Sequence, residues 1–154
     1  MQKPFEFPEP IAMKRLDEIL SDRPGSLADF RTLTATKQKD VRLMESKLSH
    51  IDHTTADYIA NIGNSQPYAM DGLCPCLTAC RTGDMGYWSM RRRRCLDVEE
   101  LLALQGVLAG MFPSWDEVLS QRQMGMVIGN AMTVSYMMRL VTKVLDAMGF
   151  PVNH

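Results

Sequence analysis

Residues 134 to 148 carry the pattern that most limits the fold. Val134, Met137, Met138, Val141, Val144, Leu145 and Met148 recur at spacings of three and four, while Ser135, Arg139, Thr142, Lys143 and Asp146 fall between them. An α-helix turns once every 3.6 residues, so the first set forms one apolar stripe and the second a polar face. Gly149 and Pro151 supply the stop. A stripe of this kind has to be buried against something. Lys143 and Asp146 interrupt it well short of the roughly 18 apolar residues of a membrane span. The 13 methionines read first as adaptable core filler and second as a partner-binding surface.

The rest of the chain reads as one ordinary globular unit or part of a larger one: 154 residues, 45% hydrophobic and 23% charged. Pro4, Pro8 and Pro10 stand among charged residues where a signal peptide would have its apolar core, so the expected location is intracellular, in cytoplasm or nucleus according to the host. A short helix is expected over Ile11 to Leu20, ended by Asp22, Pro24 and Gly25. One or two helices are expected from about Lys37 to Ile62, where Val41, Met44, Leu48 and Ile51 repeat and Gly63 with Asn64 offers a stop. Glycines and prolines between 65 and 90 break up short runs such as Cys76-Leu77-Thr78 and Tyr87-Trp88, which predicts short strands. Asp97 followed by Glu100 makes an acidic capping box, and Leu101, Leu104, Leu108 and Met111 would be the buried stripe of its helix.

Charge is informative once divided along the chain. The net charge of −1 conceals −2 over residues 1 to 30, +4 over 31 to 95 and −3 over 96 to 154. The central surplus includes Arg91, Arg92, Arg93 and Arg94, which could neutralise phosphates or pair with Asp97, Glu99 and Glu100. Cys74, Cys76, Cys80 and Cys95 are bunched, so reduced thiols are expected rather than a disulfide framework. Their C-x-C-x3-C spacing, with His50 and His53 far upstream, is not a common zinc pattern, and no metal site is expected.

Arg94 to Gly106, R-C-L-D-V-E-E-L-L-A-L-Q-G, resembles motif IX of the cytosine-5 DNA methyltransferases, R-x-L-T-x-x-E-x-x-x-L-Q-G-F. Further on, Q-M-G-M-V-I-G-N-A-M over Gln123 to Met132 resembles motif X, in which a glutamine leads into G-N-[SA]-[VM] and a closing helix. Cys76 through Trp88 is similar to the T-L-[TS]-x-x-x-G-G-x-Y stretch of the family's target recognition domain, and Phe5 to Pro10 to the F-x-F-P-x-P that follows motif VIII. Departures are Cys76 for the family threonine, Asp97 for the motif IX threonine and Val107 for phenylalanine; the last implies an altered turn.

The resemblance implies an α/β fragment, mostly helical. It would comprise a linker over 1–22, a small β-containing target recognition domain over 23–95, and a 96–154 segment whose last helix packs on the sheet of an S-adenosylmethionine-dependent methyltransferase. Motif IX looks structural, with Arg94 supporting a recognition loop or touching phosphate. Gly129 would let backbone approach a ligand and Asn130 would cap the final helix; Asn130, Ala131 and Met132 would complete the S-adenosylmethionine pocket. Leu77, Thr78, Arg81, Gly83, Gly86, Tyr87 and the four arginines would face double-stranded DNA. In the family a cysteine thiolate adds to C6 of a flipped cytosine, a glutamate assists at N3, and C5 takes the methyl group. Its Pro-Cys-Gln, Glu-Asn-Val and F-x-G-x-G motifs are not in this sequence; Pro75-Cys76 is followed by Leu77 and stands in the wrong context for the nucleophile. The expectation is a truncated frame, an excised fragment or the small subunit of a split enzyme, with a catalytic lobe carrying motifs I to VIII as partner and no catalytic residue of its own. The alternatives are a catalytically inactive stand-alone DNA-binding or regulatory protein, and a helical interaction protein with fortuitous motifs.

Overall fold

The computed structural model describes residues 4–9, 12, 14–52, 57–108 and 110–150. Helices α1 (Leu16–Ile19), α2 (Leu27–Arg31) and α3 (Ala35–Lys47) precede the hairpin of β1 (Tyr58–Asn61) and β2 (Tyr68–Asp71). A short α4 (Ala79–Gly83) leads to a second hairpin, β3 (Tyr87–Ser89) and β4 (Arg94–Cys95). Then come α5 (Val98–Leu104), α6 (Trp115–Val118), α7 (Gln121–Asn130) and α8 (Val134–Ala147). The strands form one antiparallel sheet in the order β2-β1-β3-β4. The mixed α/β class expected from the sequence is the class observed.

Side chains alternate across a strand, and the central strands β1 and β3 are buried on both faces, while the edge strand β2 is exposed to half-buried. Ile59 and Tyr87 point into a cluster with Leu16, Leu20, Leu96, Leu101, Met124 and Ile128. Ala60, Ile62, Trp88 and Met90 point the other way, against Val41 and Met44 of α3. The first cluster draws on residues from 1–22, 23–95 and 96–154 alike, so all three expected segments share one core.

Several boundaries move. Among the described residues of the helix expected over Ile11 to Leu20, Leu16–Ile19 forms; residues 12, 14 and 15 are not helical, and Ile11 and Met13 lie outside the described residues. The helical pattern expected to run to Ile62 stops at Lys47, and Tyr58–Asn61 is instead a strand that pairs on both sides, with β2 and with β3. Gly63, at φ +78°, therefore ends a strand, and its N–H donates to Asp40 Oδ2 at 2.7 Å. The Cys76-Leu77-Thr78 run leads into α4 instead of forming a strand. The capping box is as expected: Asp97 accepts from the Glu100 N–H at 2.9 Å and Glu100 from the Asp97 N–H at 3.0 Å. The stripe beyond it ends early. Gly106, at φ +78°, closes α5 as its N–H donates to Ala103 O and that of Val107 to Leu102 O, which leaves Leu108 and Met111 exposed.

The last helix forms where expected and ends at Gly149, whose N–H donates to Asp146 O while that of Phe150 donates to Leu145 O. Pro151 lies outside the described residues. None of the α8 side chains is buried; Met138 is 66% and Met148 60% exposed. Leu140 and Ala147, both half-buried, widen the apolar arc beyond the narrow seam of a two-stranded coil. Among the described residues no helix is long and apolar enough to cross a membrane.

Candidate functional site

The four arginines occupy the turn and return strand of the β3–β4 hairpin, and they alternate. Arg92 and Arg94 are buried, whereas Arg91 and Arg93 are exposed. Arg92 forms an ion pair with Asp57, and its Nε donates to Ser21 O at 2.7 Å. Asp57 also accepts from Ser89 Oγ at 3.1 Å. Arg94 has no exposed side-chain surface; its Nη1 and Nη2 donate to the two oxygens of Glu100 at 2.7 and 2.6 Å, and its Nε to Arg23 O at 2.8 Å. Burial alone would raise the Glu100 pKa, but the Arg94 guanidinium and the N–H groups of Asp97 and Ser21 together hold it below the ordinary carboxylate value. The buried pair is thus structural. Their donors are occupied by protein, which corrects the expectation that all four arginines face outward to a DNA partner; Arg91 and Arg93 are the exposed pair.

The stretch expected to read DNA divides in the same way. Tyr87 is buried: its hydroxyl accepts from the Thr78 N–H at 3.1 Å and donates to Cys76 O at 2.7 Å, and burial raises its pKa so that it stays a donor. Gly83 and Gly86 are buried, Leu77 packs against the core, and the half-buried Arg81 donates Nη1 to Gly63 O. Thr78, before α4, faces solvent. All four cysteines are free. Burial pushes the Cys74 thiol up to about 12 and Cys95 to about 11, which removes both as thiolates near neutrality, while Cys76 is exposed. Among the described residues no group of three or more His, Cys, Asp or Glu could hold a metal ion; His53 lies outside them.

The end of α5 and the α7–α8 link meet at Gln105. Its buried side chain donates from Nε2 to Ile128 O at 3.1 Å and Ala131 O at 3.2 Å, and its Oε1 accepts from the Thr133 hydroxyl at 3.0 Å. The Val134 N–H donates to Gln105 O at 2.8 Å. Comparison of the chain with family models, with curated proteins and with solved structures gives no match. The site therefore stands on its own geometry.

That geometry changes the expected part of Gly129 and Asn130. A Cβ on Gly129 would overlap the Thr78–Ala79 peptide, and one on Gly125 would lie 2.5 Å from Thr82 O, so both glycines admit the backbone of α4, not a ligand. Asn130 ends α7 and is exposed; the residue before α8 is Thr133, with its hydroxyl turned to Gln105. Asn130, Ala131 and Met132 together form an open, exposed corner between α7 and α8.

Sequence reading missed a cleft of about 300 Å³ lined by Gly25, Ser26, Leu27, Phe30, Arg42, Glu45 and Arg93. The Arg42 guanidinium lies 5.5 Å from the centre of the Phe30 ring, which meets the buried Trp88 edge-on at 6.2 Å. A trace of it was available in the sequence: Arg42 and Glu45 each directly follow a core position of α3, Val41 and Met44.

Proposed function

We propose that the chain is the C-terminal part or the small subunit of a DNA (cytosine-5-)-methyltransferase, which recognises the DNA target and supplies one wall of the S-adenosylmethionine pocket. The observation that carries this reading is the Gln105 joint. The L-Q-G end of one motif-like stretch is hydrogen-bonded in the interior to the G-N-A end of the other. Chance likeness in two separate places gives no reason for their matching ends to meet. The partly exposed apolar arc of α8, with Met138, Val141 and Met148 open to solvent, supports the same reading, because a catalytic lobe with an open sheet would cover it.

The residues at the α7–α8 corner fit the cofactor as one wall only: they offer one amide and one thioether on an open surface. S-adenosylmethionine brings the methyl group when bound; the share of this chain is to close one side of that site and hold the DNA. A second reading, a catalytically inactive stand-alone DNA-binding or regulatory protein, is favoured by the central strands β1 and β3 being covered on both faces by this chain itself.

The purified chain is expected to incorporate no radiolabelled methyl groups into DNA, since the sequence lacks the family nucleophile. Incorporation by the lone chain that is lost in Cys76→Ala would overturn this. Co-expression with a lobe carrying motifs I to VIII is expected to give a complex. Val141→Asp, placing a charge in the apolar arc, should prevent assembly, whereas Asn130→Ala should assemble and bind S-adenosylmethionine more weakly. A monodisperse chain that ignores the lobe and still binds DNA would favour the second reading.

A further inference from the structure

Arg93 stands in a backbone conformation that disfavours it. Its φ is +54°, in the left-handed region where a Cβ crowds the backbone and glycine is the usual occupant. The turn needs its backbone, for the Arg93 N–H donates to Ser89 O at 2.8 Å and its carbonyl packs on Gly25. The side chain has no comparable anchorage: it is 69% exposed and makes one surface ion pair, to Glu45 at 3.0 Å. Buried Arg92 and Arg94 on either side fix the turn, so the exposed guanidinium at the cleft mouth is held by a rigid base.

We propose that the cleft between α2, α3 and the β3–β4 turn holds a backbone phosphate of double-stranded DNA, through Arg93 and Arg42, with Glu45 as the competing intramolecular anion. The proposal rests on the DNA-binding part of the reading above and names the site that carries it. Charge complementarity selects the occupant: two guanidiniums against one carboxylate line the cleft, in the part of the chain that carries the +4 surplus. Arg42 is preset over Phe30, and the exposed Leu27 offers apolar contact to a deoxyribose. An exposed ion pair such as Arg93–Glu45 is weak, so a phosphate can replace the carboxylate. No base edge is read there, and sequence preference should not depend on it.

The decisive variant is Arg93→Gly in the full chain, because glycine suits the backbone at this position. Its melting temperature should equal or exceed that of the parent, while duplex DNA affinity falls and the slope of log K against log salt shrinks by up to about 0.9, the share of the one phosphate that the two arginines hold together. Arg42→Ala should have a similar effect on the slope. Glu45→Gln should tighten binding. Duplex affinity and salt slope unchanged in both arginine variants would overturn the cleft while leaving DNA binding intact. A parent chain that retains no duplex at low salt would overturn the cleft and the DNA reading together. Inorganic phosphate that binds the parent chain but not Arg93→Gly, with duplex affinity equal in the two, would mark a small-anion site and overturn the proposal.

Discussion

Arg94→Ala is expected to lower the unfolding free energy by roughly 3–5 kcal/mol, the range for removing one partner of a buried ion pair. Small domains are stable by only about 5–15 kcal/mol, so this single change would take a large share of the margin. The reason lies in Glu100. It accepts from both terminal nitrogens of Arg94, from the Asp97 N–H and from the Ser21 N–H at 2.8 Å, and is itself buried. Without the guanidinium a carboxylate would remain inside with two amides and no cation. The paired change Arg94→Met with Glu100→Leu should recover part of the loss by removing the unpaired charge, but not the cap or the bonds that the pair makes to the Ser21 N–H and to the carbonyls of Ser21, Arg23 and Cys95. Urea denaturation of the parent, both single variants and the double variant measures this; Arg94→Ala within 1 kcal/mol of the parent would contradict the structural role. The pH dependence has a definite sign. A carboxylate held below its ordinary 4.5 contributes its stabilisation above that value and loses it as pH falls through the depressed pKa. The ionic advantage of the parent over the double variant should therefore narrow only in acid, below about pH 4.5.

Signals complete within one helical turn were legible in the sequence. The Asp97–Glu100 box and the Gly149 stop are both made by neighbours in the chain, and the 134–148 periodicity needs no partner to be read. Tyr58–Asn61 was not legible, because its strand character comes from pairing with Tyr68–Asp71 and Tyr87–Ser89. The arginine run was opaque for a related reason. Four identical residues offer no contrast by which to tell inward from outward positions, and the groups that bind the inward pair, Ser21 and Asp57, lie 73 and 35 residues away. Only Glu100, six residues on, was within reach of a local reading. The Arg42–Phe30 cleft depends on α2, α3 and the hairpin meeting in space. Gly125 and Gly129 did carry a signal: glycines four apart lie on one side of a helix, where they allow close backbone approach as readily to a helix as to a ligand.

That last distinction yields the second large effect. Gly129→Val is expected to destabilise the chain by more than the 1–3 kcal/mol usual for overpacking, because the obstacle is backbone. A Cβ at 129 would overlap the Thr78–Ala79 peptide, which no rotamer change can clear. Gly129→Ala sets two effects against each other. Alanine gains about 1 kcal/mol over glycine within a helix. Its methyl nevertheless meets the same peptide, so α7 must withdraw from α4; that also strains the buried bond from the Thr82 hydroxyl to Gly125 O and disturbs the core around Met124 and Ile128. The clash should win, and alanine should destabilise despite its propensity. Asn130→Ala, one residue on and exposed, serves as the control and should change stability by no more than about 0.5 kcal/mol. Because Gln105 bonds to Ile128 O and Ala131 O on either side of Gly129, withdrawal of α7 should also loosen the joint that orients α8. Hydrogen exchange at the Val134 amide, which donates to Gln105 O, should accelerate in Gly129→Ala and stay unchanged in Asn130→Ala. If Gly129→Ala proves as stable as its parent and exchange at Val134 is unaltered, close α4–α7 packing does not fix the joint.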